Sequence, residues 1–146
     1  MKSGVLPAQS LRKLVESGAL SAQPAIRDDQ IQPASLDLRL GPVAYRVRAS
    51  FLAGHGRTVQ DRLEEFTMHR VNLAEGAVLE KNCVYVIPLA ERLALPPGIT
   101  AVANAKSSSG RLDLLTRTIT DGGIEFDRIP EGYQGPLYAE VCPRSF

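Results

Sequence analysis

The stretch Leu36–Val47, LDLRLGPVAYRV, indicates the fold class of this chain. Leucine alternates with charged residues over Leu36–Leu40, Gly41-Pro42 is a turn signal, and a second strand pattern follows at Val43–Val47. Further compact or alternating runs, separated by glycine and proline, lie at Val84–Pro88, Ile99–Ala103, Arg111–Thr120 and Pro136–Val141. Strands spaced in this way predict a mainly β domain, either a sandwich or a barrel.

Two segments outside these strands lack a strand pattern. Near the start, apolar residues repeat at helical spacing, and we expect Ser10 to cap this helix and Gly18 to end it. The charged segment Ser50–Arg70 holds both histidines, and we expect a long loop there. The apolar residues of the expected helix are Leu11, Leu14, Val15 and Leu20.

Composition limits the classes of function. A length of 146 residues predicts one domain over residues 1–146, and 23% charged against 44% hydrophobic residues is typical of a globular protein. A net charge of +1 gives no general electrostatic reason to bind nucleic acid or a membrane surface. No apolar run approaches the ~20 residues that span a bilayer. Two cysteines make no disulfide framework, so we expect a reducing, cytoplasmic location.

The segment Ala105–Arg111, AKSSSGR, has the composition of a polyanion site. Lys106 and Arg111 can neutralise phosphate charge, the serine hydroxyls are short donors, and Gly110 allows close approach of the backbone. By itself, a Ser/Gly-rich stretch is more often a solvated turn.

Glu140 is the second candidate, because it lies among apolar residues in Tyr138–Cys142. A buried carboxylate is costly without a partner or a function. The alternative is that Glu140 faces water, since side chains alternate along a strand.

Three segments together resemble a known family: QIQPASLDLRLG at Gln30–Gly41, AKSSSGRLDLLTR at Ala105–Arg117 and FDRIPEGYQGPLYAEV at Phe126–Val141. They are similar, in order, to the signature blocks of the dCTP deaminases, which belong to the dUTPase-like superfamily of trimeric β-barrels. The resemblance is closest to the N-terminal half of double-length bacterial members. It implies a distorted barrel with a short N-terminal helix, a homotrimer, and a domain that is incomplete at its C-terminus.

The resemblance also implies an activity and a set of site residues. The activity is hydrolytic deamination of dCTP to dUTP and ammonia, with Glu140 as the proton shuttle and Ser107 holding the attacking water. No tightly bound cofactor is implied, although Mg²⁺ can enter with the triphosphate. The implied substrate-binding residues are Lys106, Ser108 and Arg111 at the triphosphate and Arg128 beside the base.

A zinc deaminase is not indicated, because such enzymes carry His-x-Glu and Pro-Cys-x-x-Cys motifs. Neither His55 nor His69 is followed by that pattern, and Cys83 and Cys142 stand alone. We therefore predict no metal site.

Two alternatives remain open. A dUTP diphosphatase of the same fold would need an aspartate where this chain has Pro130, although Asp127 and Glu131 lie nearby. A non-catalytic nucleotide-binding or structural module is the other. The turn Thr120–Glu125 also looks longer than its counterpart in short dCTP deaminases, which affects the expected water site.

Overall fold

The computed structural model describes residues 4–106 and 112–145. It contains helix α1 at Ala8–Ser17, helix α2 at Val59–Phe66 and a 3₁₀ turn at Asp28–Gln30. The strands are β1 Leu20–Ala22, β2 Val43–Val47, β3 Thr67–Asn72, β4 Val84–Ala94, β5 Ala101–Val102, β6 Leu114–Thr120, β7 Arg128–Ile129 and β8 Gln134–Pro143.

The strands form one large antiparallel sheet and one small one. The large sheet runs β3-β2-β4-β8-β6, and β1 pairs with the second half of β4. The strands β5 and β7 form the small sheet. The prediction of a mainly β domain is therefore confirmed, and within residues 4–106 and 112–145 the large sheet is not closed.

The long strand β4 is the centre of this arrangement. Its first part pairs with β2, its last part pairs with β1, and β8 follows its other edge with a break in register between Pro88 and Arg92. The predicted strand Val84–Pro88 is the first part of this longer element.

The predicted strand Leu36–Leu40 is wrong, although the neighbouring strand Val43–Val47 is confirmed as β2. Only isolated bridges form here, from Leu36 to Ile31 and from Leu40 to Leu89. Between them the Arg39 amide donates to the buried carboxylate of Glu91 at 2.7 Å. Among the described residues, backbone pairing of this segment with β4 is limited to the bonds from Ala90 N to Arg39 O (2.9 Å) and from Gly41 N to Pro88 O (2.8 Å).

The other predicted strands were right in position and inexact in length. The pattern at Ile99–Ala103 contains only the short β5, since the preceding Pro-Pro-Gly turn extends into it. The pattern at Pro136–Val141 lies inside β8. The described part of Arg111–Thr120 contains β6.

Helix α1 ends as predicted and begins earlier. Gly18 follows it in the left-handed region at φ 86°, which suits glycine. Its N-cap is Pro7 rather than Ser10, because proline tolerates the unpaired amide at a helix start.

The expectation of a loop or irregular excursion over Ser50–Arg70 holds for residues 50–58 and is wrong for residues 59–70, which form helix α2 and the start of β3. Helix α2 begins after a capping box, in which the Thr58 hydroxyl accepts from the Asp61 amide and the Asp61 carboxylate accepts from the Thr58 amide. Val59 and Leu63 then bury one side of the helix.

The segment from Ser50 to helix α2 packs against one face of the large sheet. This face bears the side chains of a buried apolar cluster and, at its margin, Glu140. The buried members of the cluster are Val47, Phe51, Ala53, Val59, Leu63, Val86, Ile119 and Tyr138.

Candidate active site

Glu140 lies near the middle of β8, and its side chain is only 3% exposed. Val86 is its partner on β4 and Arg117 is its partner on β6. Directly opposed residues of antiparallel strands place their side chains on the same face, about 4.5–5.5 Å apart at Cβ. The pairing register therefore brings Arg117 beside Glu140.

Arg117 holds one oxygen of the Glu140 carboxylate. Its Nε and Nη2 donate to Oε2 at 2.9 and 2.6 Å. The Ser50 hydroxyl donates to the other oxygen, Oε1, and accepts from Arg117 Nη2 at 3.0 Å. A carboxylate can be buried when it is paired in this way, because charge-assisted hydrogen bonds replace its hydration.

The guanidinium of Arg117 is itself fixed from one side. It stacks over the Phe126 ring at 3.9 Å from the ring centroid. The next residue, Asp127, ties this segment to β6: its carboxylate accepts from the Thr118 amide at 2.8 Å, and its amide donates to the Thr118 carbonyl at 2.9 Å. Arg117 therefore lies between an aromatic ring and a carboxylate.

The turn Thr120–Glu125 holds the segment that carries Ser50. Three hydrogen bonds join it to residues 54–59, so the position of Ser50 beside Glu140 depends on this turn. The bonds run from Gly54 N to Gly123 O (2.9 Å), from Gly122 N to Arg57 O (2.7 Å) and from Val59 N to the Asp121 carboxylate (2.8 Å).

The remaining predicted site residues lie elsewhere or outside the described residues. Lys106 Nζ contacts an Asp37 carboxylate oxygen at 3.1 Å, which links the predicted phosphate segment to the block Gln30–Gly41. Arg128 lies exposed on β7 and pairs with Glu125 at 3.5 Å. Ser107, Ser108 and Arg111 lie outside the described residues.

Residues 2–146 match the family model of the 2′-deoxycytidine 5′-triphosphate deaminase N-terminal domain. The chain belongs to this family.

A solved structure of 2′-deoxycytidine 5′-triphosphate deaminase from Agrobacterium tumefaciens superposes with a TM-score of 0.96 at 53% identity, over 100% of this chain and 44% of that one. A dCTP deaminase of Natronomonas pharaonis is 28% identical over 94% of this chain and 68% of the relative. A "dCTP deaminase, dUMP-forming" of Aquifex aeolicus is 30% identical over 83% and 64%. The predicted resemblance to an N-terminal half is confirmed, and this chain spans less than half of the solved relative.

The sequence did not predict either of the two residues that contact the Glu140 carboxylate, Arg117 and Ser50. Arg117 was visible as a charged residue between threonines in a strand pattern, but only the register with β8 shows its partner. Ser50 lies in the segment that was predicted to be a loop, and nothing local signals its contact with a residue 90 positions away.

Among the described residues, no three His, Cys, Asp or Glu side chains are grouped as metal ligands. His69 lies on β3 opposite Arg46, and both cysteines are free. Neither described helix is long and apolar enough to cross a membrane.

Proposed function

We propose that this deaminase domain serves the hydrolytic deamination of dCTP to dUTP and ammonia, with Glu140 as general acid–base. Family membership supports the reaction. The single structural observation that carries the role of Glu140 is its burial on a central strand with both oxygens hydrogen bonded. A proton shuttle needs a carboxylate held in a fixed position.

The reaction adds water to C4 of cytosine and expels the amino group. Glu140 takes one proton from the attacking water as the C4–O bond forms and passes it to N3. It then takes the proton of the new C4 hydroxyl and delivers it to the amino nitrogen as the C4–N bond breaks, so that dCTP and water give dUTP and ammonia. One carboxylate within hydrogen-bond reach can serve all these transfers. The zinc-binding motifs of other deaminases do not occur in the sequence, so we assign water activation to Glu140.

The substrate-binding assignments remain proposals. Ser107 would hold the attacking water, Ser108 and Arg111 would bind the triphosphate, and Arg128 would lie beside the base. Lys106 pairs with Asp37, and a triphosphate would compete for its ammonium group. We expect no tightly bound cofactor, with Mg²⁺ entering on the triphosphate.

We also propose a homotrimer in which Arg111 reaches the nucleotide of a neighbouring subunit. This assembly rests on the family resemblance. Light scattering on the chain at several concentrations tests it, and a stable monomer in the presence of dCTP would contradict it.

The diphosphatase alternative is not favoured. Pro130 occupies the position of the required base and offers only a carbonyl, which accepts from the Tyr133 amide at 3.2 Å and closes a turn. Because some relatives are named dUMP-forming, the assay must separate dUTP from dUMP.

The test incubates the purified chain with dCTP. Ammonia is followed by a coupled enzyme assay, and nucleotides are separated by anion exchange. We expect equal amounts of ammonia and dUTP. Glu140→Gln keeps the shape of the side chain but cannot accept a proton, so its rate should fall on the order of 10²–10⁴-fold while dCTP binding by calorimetry survives. Glu131→Gln, on the exposed turn after Pro130, is the matched control and should keep the rate.

Every other result of this assay contradicts one part of the proposal. An unchanged rate in Glu140→Gln removes its role, and ammonia with dUMP corrects the product. Hydrolysis of dUTP without attack on dCTP shows a diphosphatase, and dCTP binding without turnover shows a non-catalytic module. Loss of activity with a chelator that Mg²⁺ does not reverse contradicts the mechanism without zinc.

A further inference from the structure

The two oxygens of Glu140 have different surroundings. Oε2 accepts two N–H bonds from one guanidinium, and that guanidinium is backed by the Phe126 ring. Oε1 accepts only the Ser50 hydroxyl among the described contacts, and Ser50 lies exposed on the covering segment. One oxygen is therefore firmly held, and the other has a partner that can be exchanged.

Arg117 and Ser50, the two partners of the Glu140 carboxylate, differ in how easily their contacts can be broken. Arg117 is a strand residue directly opposite Glu140, and its side chain is one third exposed. Ser50 is connected through a non-regular segment, and its hydroxyl has one proton and two lone pairs. Rotation about χ1 of Ser50 breaks its bond to Oε1 and the bond it accepts from Arg117 Nη2, and water can replace both because Ser50 is exposed. Freeing Oε2 breaks two charge-assisted bonds and a stacking contact next to a side chain that is two thirds buried.

We propose that Arg117 is a positioning residue that dedicates Oε1 of Glu140 to proton transfer, while the Ser50 hydroxyl occupies the place of the attacking water. This inference rests on the proposed function. The water replaces the Ser50 hydroxyl, donates one proton to Oε1 and forms the bond to C4, and Oε1 passes that proton to N3. The same oxygen then moves the proton of the new C4 hydroxyl to the departing amino nitrogen, and Oε2 stays on Arg117 throughout.

Removing Arg117 should therefore lower kcat much more than removing the Ser50 hydroxyl. Arg117→Met keeps the length of the side chain and removes both bonds, so the carboxylate can rotate out of line. Misplacement by about 1 Å can cost on the order of 10²-fold in rate. We therefore expect Arg117→Met to lower kcat by roughly that factor, with KM changed less than about threefold. Arg117→Lys restores the charge without the fork, so its kcat should lie in between.

Ser50→Ala should lower kcat by less than about threefold, because water takes the place of the hydroxyl before the reaction begins. Arg46→Met is the matched control: Arg46 is also a strand arginine in an ion pair, with Glu80 at 3.0 Å, but it lies on β2 and does not contact Glu140. Its kinetic constants should match the wild type. Thermal unfolding of all variants separates lost folding from lost positioning.

A second measurement does not depend on turnover. In a chain labelled with ¹³C at glutamate carboxyls, the Glu140 resonance is the one that disappears in Glu140→Gln. It should shift in Arg117→Met and stay in place in Arg46→Met.

The outcomes separate the two proposals. If the wild type deaminates dCTP and folded Arg117→Met keeps its kcat, the inference is overturned and the proposed function stands. Equal losses in Ser50→Ala and Arg117→Met also overturn it. If the wild type leaves dCTP intact, the proposed function fails, and the catalytic assignment of Oε1 fails with it. An unshifted Glu140 resonance in Arg117→Met overturns the contact itself.

Discussion

Glu91→Gln tests whether one buried carboxylate holds the block Gln30–Gly41 on the sheet. Glu91 lies on β4 and has no exposed surface. Its Oε2 accepts from Gln30 Nε2 at 3.1 Å and from Arg39 Nε at 2.8 Å, and its Oε1 accepts from the Arg39 amide at 2.7 Å. Three hydrogen bonds thus fix the two ends of a block that lacks regular strand pairing.

The magnitude follows from these contacts. The amide of glutamine keeps one acceptor oxygen, but its NH₂ group faces a donor and leaves the Arg39 charge without its partner. Breaking a buried ion pair typically costs about 3–5 kcal/mol. Arg39 is 21% exposed, so water compensates part of its charge. We expect the free energy of unfolding to fall by about 2–4 kcal/mol.

Equilibrium unfolding in urea gives this number. The chain has no tryptophan, so far-UV circular dichroism is the suitable signal. Glu80→Gln is the control, because Glu80 also pairs with an arginine but is 62% exposed, and it should cost about 0–1 kcal/mol. If the two variants agree within about 0.5 kcal/mol, the buried contacts do not hold the block and the reasoning is refuted.

Two further predictions concern other polar groups. Burial raises the pKa of Tyr133 from 10.0 to about 12, so its contribution to stability is complete below pH 10 and is lost as the pH rises towards 12. Tyr133→Phe should lower the free energy of unfolding at pH 8 by about 1 kcal/mol per lost hydrogen bond. Above pH 10, its free energy of unfolding in urea titrations should fall less steeply with pH than that of the wild type. An identical fall in both proteins would contradict the assignment. Thr58→Ala removes the hydroxyl that accepts from the Asp61 amide at 3.0 Å, and it should lower the free energy of unfolding in urea by about 1 kcal/mol. An unchanged free energy of unfolding would show that helix α2 does not depend on its cap.

Local signals explain which parts of the fold could be predicted. The strand Val43–Val47 and the helix end at Gly18 depend on residues close in sequence, and both were found. The alternation at Leu36–Leu40 resembles a strand, but the Arg39 amide donates to a carboxylate 52 residues away, and the segment forms only isolated bridges. Helix α2 has eight residues and buries only Val59 and Leu63, so its periodicity is weak.

The same distinction applies to the site. The apolar neighbours of Glu140 in the sequence left burial and exposure both open, and the structure shows the side chain buried. Its partners were not indicated, because the contact with Arg117 depends on the register between β6 and β8, and the contact with Ser50 depends on the path of the covering segment. The candidate carboxylate could be named from the sequence, whereas its hydrogen-bond partners required the fold.

The turn Thr120–Glu125 has a consequence for protein engineering. Its backbone and the Asp121 side chain bind residues 54–59, including the first amide of helix α2. A chimera that received only this turn from the present chain would carry donors and acceptors without partners, and one that received only residues 50–66 would lose its attachment points. The two segments form one exchangeable unit, although about 60 residues of sequence separate them. Recombination libraries between this chain and its relatives should therefore keep both segments from the same parent.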